Sequence, residues 1–246
     1  MFHYKFINGK KVLYSDLLPE AEHFFTTREA VIKSDEPNLQ PIIVKNKIAI
    51  LSHLNVGNNY LKMPIQTHSA NVRVARANIN SYPKTDAMIV DNNRIAVALN
   101  FADCCPIILY DRVHNVGAIV HAGWKGTFGK IVVKTIEKMF DEYLISPQDL
   151  VAIIGPTIGK CCYGLGEDVY DQLATTIDNI SDYSEKIQSK YYVDLKQINK
   201  QQLLNVGLSA ENIDVSTYCT SCNNDLFFSF RKEKTTSRHS AVLKLK

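Results

Sequence analysis

Short apolar runs of strand length, each closed off by Asn, Asp, Gly or Pro, limit this chain more tightly than any other feature. The longest, Ile107–Tyr110 and Val116–Val120, fall far short of the ~20 apolar residues that a membrane span requires. Nine β-branched segments read as strands: Lys47–Ser52, Asn71–Arg76, Ala87–Val90, Arg94–Leu99, Ile107–Tyr110, Asn115–His121, Leu150–Gly155, Lys190–Asp194 and Asp214–Thr217. Helical periodicity is strongest over Thr127–Leu144, where Ile131, Val132, Thr135, Ile136, Met139, Phe140 and Tyr143 form a stripe. Weaker patterns cover Glu167–Ile177 and Leu195–Val206, with Pro147 and Gly155–Pro156 as breaks. Arg28–Gln40 reads as a surface loop and Asp178–Lys190 as a link between elements. Hairpin-like strands with a few helices predict a layered α+β fold rather than a repeating βαβ one.

With 46% hydrophobic and 22% charged residues over 246 positions, the chain can bury a core as one domain, residues 1–246. A net charge of +3 and the lack of a Lys/Arg run exclude nucleic acid as the expected partner. Met1–Tyr14 has no continuous apolar stretch of the kind a secretory signal carries, so a cytoplasmic setting away from membranes is expected. The six cysteines fall as Cys104–Cys105, Cys161–Cys162 and Cys219–Cys222, which in a reducing compartment are free thiols. Cys219-Thr220-Ser221-Cys222 has the spacing of half a zinc site. Its only complement, Cys161–Cys162, makes poor chelate geometry by adjacency, so Cys219 and Cys222 are read as two free or packing thiols.

Three segments place metal-ligand residue types at strand ends: Gln66-Thr67-His68-Ser69, Ala102-Asp103-Cys104-Cys105-Pro106 and His121-Ala122-Gly123-Trp124-Lys125-Gly126. Two imidazoles and one thiolate satisfy a catalytic zinc site, which keeps one position open. Against this, a strand-end His is more often structural, and a Cys in an apolar strand is usually inert core. Because successive strand side chains face opposite ways, only one of Cys104 and Cys105 can face such a site, and spacing does not choose between them. Gly123, Gly126 and Gly129 open the best helix; either its amides, with Lys125, hold an anion, or the glycines only make a tight turn. Trp124 either stacks on a flat ligand or packs.

Taken together, QTHS, DAMIV, ADCCP, VGAIVHAGWKG, IGPTIGKCCYGLGEDV and the C-terminal CTSCNNDLFFSFRKEKTTSRHSAVLKL resemble the YfiH/PgeF-type proteins, also called laccase-domain or multicopper polyphenol oxidase proteins. The likeness runs from Phe25-Thr26-Thr27-Arg28 to the C-terminus. It implies a four-layer α/β/β/α sandwich of mixed sheets. It implies His68, Cys104 and His121 as catalytic metal ligands, choosing Cys104 over Cys105, with zinc as the expected ion and copper as a possible one. It further implies phosphorolysis of adenosine, inosine, guanosine and methylthioadenosine, with adenosine deamination beside it. Purine nucleosides and phosphate are then the partners of a monomer or small homo-oligomer. Arg28, Asn55 and Lys125 are the expected substrate-binding residues, and Asp103 either orients a metal-binding His or caps its turn.

The chain departs from the family in three places. Glu29-Ala30-Val31 replaces Gly-Gly-Val after the TTR segment, Ser69 replaces the Gly after His68, and Lys125 replaces an Arg. Lys keeps the charge but loses the bidentate fork. Two rival chemistries remain. A Cys–His hydrolase editing peptidoglycan precursors would use Cys104 as nucleophile. A polyphenol oxidase would need several His-rich ligand sets, yet the seven histidines contain no His-x-His pair, so only a single copper could be carried.

Overall fold

The computed structural model describes residues 1–246. In chain order its strands are β1 (Phe2–Ile7), β2 (Lys10–Ser15), β3 (Ala21–Thr26), β4 (Leu61–Lys62), β5 (Val72–Val74), β6 (Ala87–Val90), β7 (Ala96–Phe101) and β8 (Cys105–Asp111). They continue as β9 (Val116–Ala122), β10 (Leu150–Ile154), β11 (Gly164–Leu165), β12 (Ser184–Ile187), β13 (Lys190–Val193), β14 (Ile213–Val215) and β15 (His239–Leu245). The helices are α1 (Gln40–Leu54), α2 (Trp124–Phe128), α3 (Ile131–Tyr143), α4 (Glu167–Ala174), α5 (Leu195–Asn205) and α6 (Phe230–Glu233).

Two six-stranded mixed sheets form the centre, ordered β1-β2-β3-β15-β7-β4 and β14-β10-β8-β9-β6-β5. Each is antiparallel apart from its parallel pairs: β4 with β7 in the first, β10 with β14 and β5 with β6 in the second. Leu13, Phe25, Val97, Leu99 and Leu243 of the first sheet pack on Met88, Ile108, Ile119 and Ile153 of the second. The far side of the second sheet, with Ile107, Leu109, Ala118 and Val120, is covered by Ile131, Val132, Ile136 and Met139 of α3 and Leu203 of α5. Burying each such side chain contributes roughly 1.5–3 kcal/mol relative to exposure. On the far side of the first sheet, Ile50 and Leu54 of α1 pack on Phe24, Ala96 and Val242. The result is the expected four-layer α/β/β/α sandwich. A small antiparallel sheet, β11-β13-β12, adds its own cluster at one end, where Trp124 packs beside Ile158, Leu173 and Ile198. No helix is long and apolar enough to cross a membrane.

The segment Lys47–Ser52, expected as a strand, lies inside α1. Only Ile43, Asn46, Ile50 and Leu54 of that helix are buried, while Ile42, Val44 and Ile48 face solvent. Apolar residues all round the helix hide its period, and the β-branched composition imitates a strand. The expected Thr127–Leu144 helix is interrupted at Gly129–Lys130, where Lys130 takes a left-handed φ of 52° and starts α3. Phe140, counted in the stripe, is 53% exposed. Within Asp178–Lys190, expected as a link, β12 forms a hairpin with β13. The strands β1, β2, β3 and β15 were not expected at all.

Candidate metal centre

Strand register builds the site. In the β6/β9 pair Ala87 lies opposite Val120, so Asp86, at the head of β6, falls beside His121. In the β8/β9 pair Cys105 lies opposite Ala122, which brings Cys104 to the turn that begins at Gly123. Alternation then separates the neighbouring thiols: Cys105 is buried on the helix side of the second sheet, while Cys104 packs toward the inter-sheet layer. The loop carrying His68 is clamped to β7 by Gln66, whose amide donates to the Asn100 carbonyl (2.9 Å) and accepts from the Asn100 N–H (2.8 Å).

His68, Cys104 and His121 offer one donor atom each, all within 4.8 Å of one another. Gly123 makes this approach possible, since a Cβ there would lie 2.8 Å from Cys104 Sγ and 3.2 Å from His68 Cδ2. His68 holds a left-handed φ of 58°, a conformation costly for a residue with a Cβ and stabilised here by its surroundings.

Those surroundings centre on Asp86. Its carboxylate accepts from the N–H groups of Thr67 (3.2 Å), His68 (3.0 Å) and Ser69 (2.8 Å), and from Ser69 Oγ (2.6 Å). His121 Nδ1 lies 2.8 Å from the same carboxylate. With Asp86 ionised, Nδ1 is the donor to it, and Nε2 is the ring nitrogen left facing the site. Burial would raise the Asp86 carboxyl, but the hydrogen bonds from His121 and Ser69 outweigh it and hold the group well below the usual carboxylate range. Burial likewise opposes charge on Cys104 and His121, yet each favours the ionised form of the other. The Cys104 thiol is pulled down to about 6 by His121 and His68, and His121 is pushed up to about 9 by Cys104 and Asp86. One cysteine sulfur and two histidine rings thus meet at one point, the donor chemistry of a zinc or copper site.

The cluster opens into a cavity of about 790 Å³. Lys33, Lys47, Arg231, Lys234 and Arg238 line it with positive charge, against the carboxylates of Asp35 and Asp103. Met63, Pro64 and Ile65 supply an apolar flank, and Tyr163 and Phe230 supply rings.

Several residues expected at the site lie elsewhere. Arg28 is spent on the Phe227 carbonyl (3.2 Å), on Glu233 and on the Phe228 ring, and does not line the cavity. Asn55 caps the C-terminus of α1 with a left-handed φ of 52°. Lys125 is exposed, with its Nζ 5.5 Å from the centre of the Trp124 ring. Asp103 lines the cavity, but its carboxylate accepts from Thr220 Oγ1 (2.7 Å) and the Arg231 N–H (2.6 Å) rather than from a histidine. The orienting carboxylate is Asp86, an acidic residue heading an otherwise apolar strand. The cavity's cations also escape the sequence, because Lys33 and Lys47 come from one stretch of the chain and Arg231, Lys234 and Arg238 from another almost two hundred residues later, and only the fold brings the two together. Cys219 and Cys222, expected as free or packing thiols, converge with Cys161 and Cys162, all four donor atoms within 4.8 Å of one another.

A mixed-sheet α/β/β/α sandwich with a two-histidine, one-cysteine cluster at the foot of a cationic cavity defines a class of candidate metalloenzymes. The family model for the multi-copper polyphenol oxidoreductase laccase matches residues 30–246, and the chain belongs to that family. A purine nucleoside phosphorylase, YlmD, of Bacillus subtilis is 31% identical over 204 residues, 78% of this chain and 73% of that protein. Its Geobacillus stearothermophilus namesake is 37% identical over 164 residues, 65% of this chain and 60% of the relative. An adenosine deaminase, RL5, from an unknown prokaryotic organism is 29% identical over 201 residues, 77% of this chain and 76% of that protein. Among solved structures, the Bacillus licheniformis hypothetical protein YfiH superposes with a TM-score of 0.89 at 26% identity, over 99% of each chain. The Geobacillus stearothermophilus YlmD structure gives 0.87 at 27% identity, over 96% of each chain.

Proposed function

We propose that the protein is a cytoplasmic, zinc-dependent purine nucleoside phosphorylase with adenosine deaminase activity, and that His68, Cys104 and His121 hold its metal. The observation that carries this reading is the convergence of these three donors at the foot of a cavity lined by five cationic side chains. The donor set fits zinc: two imidazoles and one thiolate, oriented by Asp86, with no fourth protein ligand among the clustered groups. A zinc ion there supplies Lewis acidity at an open coordination position.

The chain's own residues do the rest. Asp86 fixes both the His68 loop and the His121 tautomer, so the donors meet the ion without rearrangement. The cationic wall binds phosphate and offsets its charge. The apolar flank at Met63–Ile65 and the rings of Tyr163 and Phe230 exclude water around the nucleoside. The cavity volume lies in the usual range for small-ligand sites, about 300–1,000 Å³. In phosphorolysis a phosphate oxygen bonds to C1′ as the C1′–N9 bond breaks; the base leaves with that electron pair and takes up a proton. A single cluster containing histidine, with no second His-rich set beside it, favours this reading over multicopper oxidation.

Incubation with adenosine, inosine, guanosine or methylthioadenosine, with and without phosphate, followed by chromatography of released bases, tests the reading. Phosphate-dependent release of free base is expected, together with some inosine from adenosine. No base release from any nucleoside, or native release by Cys104→Ser, would defeat it. A thiol nucleophile acting alone would instead survive chelators.

A further inference from the structure

We propose that Cys161, Cys162, Cys219 and Cys222 form a second metal site, a closed tetrathiolate centre for Zn²⁺ that braces the wall of the cavity. The parallel pairing of β10 with β14 accounts for their meeting. Both strands run in one direction, so the turns that follow them leave the same end of the sheet. The Thr157/Cys219 bridge extends that pairing, and Thr220 N–H donates to the Thr157 carbonyl (3.1 Å). Each pair then sits on a tight turn: Cys162 and Tyr163 N–H groups donate to the Gly159 carbonyl, and Asn223 N–H donates to the Cys219 carbonyl (2.8 Å). The turn, rather than a strand, lets adjacent Cys161 and Cys162 face one centre.

Cys222 Sγ lies 3.6 Å from both Cys161 Sγ and Cys162 Sγ. Four sulfurs around a zinc ion at the usual ~2.3 Å bond length are about 3.8 Å apart, whereas a disulfide holds its sulfurs at about 2.0 Å. One thiol equidistant from two others suits a shared ion better than a single disulfide. Gly159 N–H donates to Cys219 Sγ (3.1 Å), the amide-to-sulfur bond that stabilises a ligating thiolate. A Cβ at Gly159 would lie 3.1 Å from Cys219 Cβ and 3.3 Å from Cys161 Sγ, so the glycine keeps the centre open for closure. Binding releases the thiol protons and leaves a net charge of −2, which nearby cations offset. Arg231 donates to the Gly164 carbonyl (3.0 Å) and Lys232 to the Ser221 carbonyl (3.1 Å).

The ion's place explains its use. Tyr163 and Arg231 line the cavity, and Thr220, between the two ligands of the second pair, donates to Asp103. Four thiolates leave no open position, so the centre is structural.

Zinc content per chain, measured on protein made in zinc-replete medium and purified with reductant, tests this. In a His68→Ala/Cys104→Ser background, which disables the first cluster, one zinc per chain is expected. Adding Cys222→Ser should reduce it to none. Absence of zinc from the double variant, or its retention after Cys222→Ser, overturns the proposal. Should the triple variant fail to fold, cobalt substitution of the double variant decides. An intense thiolate-to-cobalt charge-transfer band with tetrahedral d–d absorption is expected, and no cobalt uptake overturns the site. Zinc in the double variant together with no turnover by the wild type would separate a failed functional reading from a failed inference.

Discussion

Two sulfur-bearing clusters lie on either side of Asp103, which follows the chain into Cys104 and accepts a hydrogen bond from Thr220 between Cys219 and Cys222. The His68–Cys104–His121 cluster has three donors, a buried carboxylate behind it and a strained residue within it. The four-cysteine cluster has four donors, backbone amides behind it and two exposed thiols, Cys161 and Cys222. Three donors leave a coordination position for chemistry, while four close the shell. The supporting groups differ to match. A carboxylate that fixes a tautomer serves reactivity, whereas turns and amides serve mechanical closure.

The comparison can be broken by variants whose effects should differ in kind. Cys104→Ser is expected to remove turnover entirely while leaving the far-UV circular dichroism unchanged; unaltered phosphorolysis would erase the distinction. Asp86→Ala should lower zinc affinity or kcat/KM by about 10–100-fold, the usual cost of losing a residue that orients a ligand. Titration with a competing chelator alongside steady-state rates checks it. Arg238→Met should raise the KM for phosphate about 10-fold, the worth of one hydrogen bond to a charged group. Lys125→Met, on the exposed face of α2, should leave that KM unchanged.

Two buried histidines sharpen the same contrast. His121, beside Asp86 and Cys104, is pushed up, whereas burial pushes His239, set against the rings of Phe101 and Phe227, down to about 3. The unfolded chain takes up a proton on His239 near pH 6.5, while the folded chain resists it until far lower pH. The stability linked to His239 is therefore complete above about pH 6.5 and is lost progressively as pH falls toward about 3. Urea midpoints at pH 7 and pH 5 should differ less for His239→Phe than for the wild type. Equal differences would remove His239 from the account.

Legibility in the sequence followed burial on both faces. The strands β6, β8, β9 and β10, covered on one side by helices and on the other by the first sheet, are continuous apolar runs and were read near their true bounds. The first sheet was read only at β7. Its β1 is an edge strand whose His3, Tyr4 and Phe6 are exposed, and its alternation is correspondingly weak. A usable signal was present in Asn8-Gly9, whose φ values of 46° and 75° make the tight hairpin turn between β1 and β2. At the site, the donor triad came from the family resemblance, and spacing alone could not separate Cys104 from Cys105. Asp86 stood in a quoted motif without a role, because only the β6/β9 register puts it beside His121. The cysteine tetrad is hidden in the sequence, because the adjacency of Cys161 and Cys162 argues against chelation until the turn at Gly159 brings both toward Cys222.

The most direct test is anomalous diffraction at the zinc edge from crystals of the protein grown with phosphate. The account predicts a peak bonded to His68 and His121 nitrogens and Cys104 sulfur, with a fourth ligand that is not protein. No peak between these side chains, or one whose shell is completed by a fourth residue of the chain, would contradict it.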